Sequence, residues 1–199
     1  MTVAVQTIDL RASQVSSDRV PDTLADLAGM GLLRAFERTA GDEFQGVLDD
    51  PEAFAGVLEN LLRDGGWNIG VGIGEVEQPL PESTRAGRGP AFVLAREAVT
   101  AAKSGPWHLR VRGECPGVRG LETTLWLWAA VLHRRTTRGW EVADLVAAGA
   151  SYDEASRRLG ISPSAVSQRA QAAGIVESRR ARELVVVLAS SLFGAEVAR

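Results

Sequence analysis

The sequence predicts an α+β protein in which a sheet domain, residues 1–115, is followed by an all-helical domain, residues 116–199. Three observations predict it. Strand-like and helix-like patterns alternate up to about Gly113, the pattern is wholly helical from Leu121, and Cys115–Pro116–Gly117 interrupts regular structure between them. Charge divides along the same line. Residues 1–133 carry a net −6, whereas Arg134–Arg182 holds nine arginines against five acids, +4, within a chain of net −3. An acidic front and a basic back suggest two tasks, and the basic segment is where a polyanion would bind.

Element by element, Thr2–Ile8 alternates apolar and polar residues as a half-buried strand does. Pro21 opens a helical stretch that Gly29–Gly31 interrupts. Arg34–Thr39 and Glu43–Leu48 flank Gly41–Asp42 and predict a hairpin. Pro51 starts a helix whose Phe54, Val57, Leu58, Leu61 and Leu62 share a face, and Gly65–Gly66 ends it. Trp67–Val76 predicts a strand, Pro90–Ala102 a helix, and Trp107–Arg112 a last strand with Trp107, Leu109 and Val111 on one face. Leu121–Arg135 is the helix expected to pack across the domain junction.

The strongest motif follows. Ser151–Leu159 is a short amphipathic helix with Tyr152, Ala155 and Leu159 expected inward. Gly160 supplies a left-handed turn, Ile161 an apolar plug, Ser162 an N-cap and Pro163 a first helical residue. The second helix, Pro163–Ala173, turns Val166 and Ala170 inward, and Trp140–Ala148 completes a three-helix core. The pattern resembles the helix-turn-helix of bacterial regulators and sigma-factor-like modules, which implies double-stranded DNA as partner. Small or hydrogen-bonding side chains at Ser164, Ser167, Gln168 and Gln171 suit base edges in a major groove, with Gln168 placed for a bidentate adenine contact. Arg157, Arg158 and Arg169 are the expected phosphate contacts. One such unit covers little DNA, so a homodimer reading two half-sites is expected. Leu184–Leu188 with Leu192–Phe193 forms either its dimer helix or a packing surface within its own domain.

In the front half, Gly41-Asp-Glu-Phe-Gln-Gly46, Ile69-Gly-Val-Gly-Ile-Gly-Glu-Val76 and Gly89-Pro-Ala-Phe-Val-Leu-Ala-Arg-Glu-Ala98, together with the C-terminal motif, resemble the SatD family. The resemblance spans nearly the whole chain. It departs at Ile8, where glycine is the pattern, and at Gln14, where arginine is. A more distant similarity is to the catalytic core of nucleotidyl and diguanylate cyclases, which implies a ferredoxin-like sheet. In that frame Asp9 and Asp42 match the two aspartates that hold Mg²⁺ or Mn²⁺ with a nucleotide, Arg96 matches a phosphate-stabilising arginine, and Arg38 sits where a base-selecting residue lies. The expected asparagine is Phe92. Three roles for the front domain follow: a scaffold, a nucleotide or metal sensor that gates the helix-turn-helix, or an active cyclase or phosphotransferase localised by it. Gly70, Gly72 and Gly74 have a simpler alternative, since glycines alternating on one strand face admit a closely packed helix.

Several classes are excluded or set aside. A single cysteine, Cys115, forbids an intramolecular disulfide and a cysteine-rich zinc site. His108 and His133 have no second ligand at metal spacing and are expected to be ordinary polar positions. No apolar run spans a bilayer and no basic-then-apolar leader opens the chain, so no membrane partner and a cytoplasmic location are expected. The helical domain docking to a protein instead of DNA is the remaining alternative.

Overall fold

A computed structural model of the chain describes residues 1–11 and 18–193; Gln14 lies outside the described residues. Five strands form one mixed sheet: β1 (Thr2–Leu10), β2 (Arg34–Ala40), β3 (Glu43–Leu48), β4 (Trp67–Glu75) and β5 (Leu109–Gly113). Their spatial order is β2-β3-β1-β4-β5, antiparallel except for the β4–β5 pair. The parallel pair is joined by α3 (Pro90–Ala102), as a crossover connection requires.

β1 is central and buried on both faces. Ala4 and Ile8 join one core with α1 (Val20–Leu27) and α2 (Pro51–Asp64), whereas Val3 and Val5 join a second core under α3. Two further helices, α4 (Val118–His133) and α8 (Ile175–Leu192), pack into the first core through Leu121, Leu125, Trp128, Val185, Ala189 and Leu192. The sheet face is thus covered by helices from both ends of the chain. Leu184 and Val187, on the other side of α8, stay exposed.

The glycines of β4 have a steric reason. A Cβ on Gly70 would meet Val99 N at 2.2 Å, and one on Gly72 would meet Ala91 O at 2.2 Å. Both atoms are α3 backbone, so the stripe lets α3 lie directly on the sheet.

Three short helices form a separate small core: α5 (Thr137–Ala147), α6 (Tyr152–Leu159) and α7 (Pro163–Ala172). Val142, Ala155, Val166 and Ala170 are buried there, with Leu145, Leu159 and Ile161 packed against them. Tyr152 is the exception to the expected pattern. It is 38% exposed, and Ser156 takes the inward place beside Ala155. Tyr152 is the first residue of α6, so its ring clears the core, whereas Ser156 finds a partner in the Asp153 carbonyl. Trp107 also departs. It lies in a 3-10 turn, Pro106–His108, with φ of 55° at Trp107 and 51° at His108, and the strand begins only at Leu109. Among the described residues, no helix is long and apolar enough to cross a membrane.

Candidate functional site

The α6–α7 segment is built by local hydrogen bonding. Ser151 accepts from Glu154 N while the Glu154 carboxylate accepts from Ser151 N, a closed capping box that also holds the Glu154 carboxyl below its usual range. Gly160 ends α6 at φ 64°, the left-handed region that glycine enters without a Cβ clash. Ser162 then caps α7 by accepting from Ala165 N at 3.2 Å, and Pro163 takes the first turn, where its missing N–H costs nothing.

The outer face of α7 is bare. Ser164, Ser167, Gln168 and Gln171 are all exposed, and among them only Ser164 has a recorded side-chain bond, to the Ser162 hydroxyl at 2.9 Å. Arg157 and Arg158, in the last turn of α6, are exposed and enter no ion pair among the described residues. Arg169 differs. It is half-buried, with Nη1 3.7 Å from the Glu141 carboxylate of α5, so it braces two helices of the unit.

The front-half residues gather less tightly. Asp9 stands opposite Glu43 on β3 and Asn68 on β4. Its Oδ2 accepts from Asn68 Nδ2 at 3.0 Å and lies 3.1 Å from Lys103 Nζ, at the end of α3. Asp42 occupies the β2–β3 turn, where its carbonyl accepts from Leu10 N at 3.4 Å. Glu43 is taken by Thr39, whose hydroxyl donates at 2.6 Å. Arg38 reaches Asp18 at 2.7 Å, and Arg96 is exposed on α3. A hard dication seeks several oxygens. Here the Asp9 oxygen is engaged by an ammonium, and among the described residues no three carboxylates, histidines or cysteines converge. The donor set does not fit such an ion.

Sequence spacing could not show that both histidines border one cavity. About 310 Å³ in volume, it is walled by Arg11, Trp67, Trp107, His108 and His133. His108 Nδ1 lies 3.1 Å from Asn68 Oδ1, and the Trp107 ring sits 5.4 Å from that of His133. Burial, helped by the nearby Arg11 charge, holds the His108 imidazole below its usual range.

Comparisons with family models, with curated proteins and with solved structures match nothing to this chain.

Proposed function

We propose that this chain is a DNA-binding transcriptional regulator whose α6–α7 segment is a helix-turn-helix, with α7 as the recognition helix. One observation carries the reading: a capped, tightly turned helix pair presents a bare polar face beside two exposed arginines that form no ion pair among the described residues. Gln168, flanked by Ser164, Ser167 and Gln171, reads base edges, and Arg157 and Arg158 hold phosphates. Arg169, tied to Glu141, positions the helix first and reaches phosphate second.

The strand order β4-β1-β3-β2 supports reading the sheet as ferredoxin-like and, with the SatD resemblance, as a cyclase-like layer. Engagement of Asp9 by Lys103 and Asn68 favours the scaffold role over sensor or cyclase. The regulator acts in the cytoplasm as a homodimer. Leu184 and Val187 of α8 and Leu127 of α4 are exposed apolar residues on two paired helices, and they offer the contact. Leu184→Glu with Val187→Glu is expected to yield a monomer by sedimentation; an unchanged mass would remove α8 from the dimer.

The test is selection of duplexes from a random pool, followed by binding of the selected sequence to variants. Gln168→Ala is expected to cost about 1–3 kcal/mol on that duplex and little on a scrambled one. A pool that shows no enrichment, or equal losses on both duplexes, contradicts base reading by α7.

A further inference from the structure

A cleft of about 640 Å³ opens between α2, α5 and α8, where the three-helix unit meets the helices covering the sheet. Its volume is that of an ordinary small-molecule site. Four arginines line it, Arg63, Arg135, Arg179 and Arg182, against two carboxylates, Glu59 and Asp144.

The carboxylates are unevenly committed. Asp144 receives both arms of Arg63, at 2.6 and 2.8 Å. Arg182 divides between Glu52 at 2.8 Å and Glu59 at 3.6 Å. Arg135 has neither. It is only 8% exposed, its Nε donates to the Ala173 carbonyl at 3.0 Å, and no ion pair within 4.0 Å is recorded for it among the described residues. Arginine is seldom buried without a paired charge, because desolvation then goes uncompensated. Arg179 is the most exposed of the four, and its nearest carboxylate, Glu183, is 3.9 Å away.

The chemistry of an occupant follows from what the cleft leaves free. Arg63 and Arg135 already lie over the Trp140 ring, at 4.3 and 4.2 Å, so its stacking surface is taken by cations. Guanidinium N–H groups remain, and their fork geometry matches phosphate oxygens.

We propose that this cleft binds a small phosphate-bearing anion, with Arg135 and Arg179 as its main donors and Arg182 beside them. The bound anion competes with Asp144 for Arg63. The Arg63–Asp144 bridge joins α2 to α5, so occupancy alters how the three-helix unit is held. That consequence for DNA rests on the regulator reading, whereas the binding itself does not.

The experiment is calorimetric titration of the full chain with inorganic pyrophosphate in the absence of DNA, at constant ionic strength set with chloride. Saturable binding of one anion per chain is expected, with a Kd below about 1 mM. Arg179→Gln with Arg182→Gln is expected to weaken it by about tenfold or more. Arg157→Gln with Arg158→Gln, on α6, is expected to leave it unchanged. Arg135→Gln is expected to abolish it, but that variant also loses the Ala173 bond, so the Arg179/Arg182 pair carries the test. No saturable binding, binding retained in that pair, or binding lost with Arg157 and Arg158 each overturns the proposal. A chain that binds pyrophosphate yet ignores every duplex overturns the regulator reading alone.

Discussion

At the scale of single residues, one buried group and one half-buried group are out of balance with their surroundings. Gln6 on β1 faces the first core, and neither its Nε2 nor its Oε1 finds a hydrogen-bond partner among the described residues. An unsatisfied buried amide costs about 1–3 kcal/mol, so Gln6→Met, similar in shape, is expected to stabilise the chain by that amount in urea unfolding. A loss of stability would mean that the carboxamide is better served than its contacts indicate. Glu59 is the second. Burial raises its carboxyl above the usual range despite Arg182, Arg135 and Arg63. A raised folded-state value means that the native state holds this proton more tightly than the unfolded chain. Stability from this group is therefore present at low pH and is lost as pH climbs from the ordinary carboxylate range through the raised value. Relative to wild type, Glu59→Gln is expected to gain stability as pH rises from about 4 to 7; a constant difference across that range contradicts the direction.

Among the elements, those with a local cause were legible in the sequence. Gly41–Asp42 marked the β2–β3 hairpin, Pro90 the first turn of α3, and Ser151, Gly160 and Ser162 the ends of α6 and α7. Each reports its own backbone geometry within a few residues. The elements that differed are set by distant partners. Trp107 enters the left-handed region where its ring meets His133, and no strand periodicity encodes that contact. Lys103 takes Asp9 across 94 positions of sequence, and Arg135 enters a cleft walled by helices from both halves of the chain. Two glycines test the element-scale account. Gly72→Ala would drive a Cβ into α3 backbone, so a loss of about 3 kcal/mol or more is expected in denaturant unfolding. Gly160→Ala forces a left-handed residue to carry a Cβ in open space, and a loss of only about 1–2 kcal/mol is expected. Equal costs at the two sites would mean that helix–sheet contact is not what Gly72 serves.

Over the whole molecule, α8 ties the parts together. It buries Val185, Ala189 and Leu192 in the core of the sheet layer, while Ile175 at its start packs against the α5–α7 core. The bridge from Arg63 to Asp144 adds a second link between the layers. Exposed ion pairs contribute little stability, so this link matters for orientation more than for folding. Charge agrees with the proposed regulator reading, because in a chain of net −3 the basic segment is where a polyanion such as DNA would be drawn. The measurement that tests this most directly is fluorescence anisotropy of the full chain on a selected duplex across a range of salt concentrations, wild type against Arg157→Gln with Arg158→Gln. Each phosphate contact contributes about 0.9 to the slope of log affinity against log salt, so losing two contacts is expected to flatten it by about 2. An unchanged slope in the variant, or no binding by wild type at the lowest salt, would contradict DNA recognition by this surface.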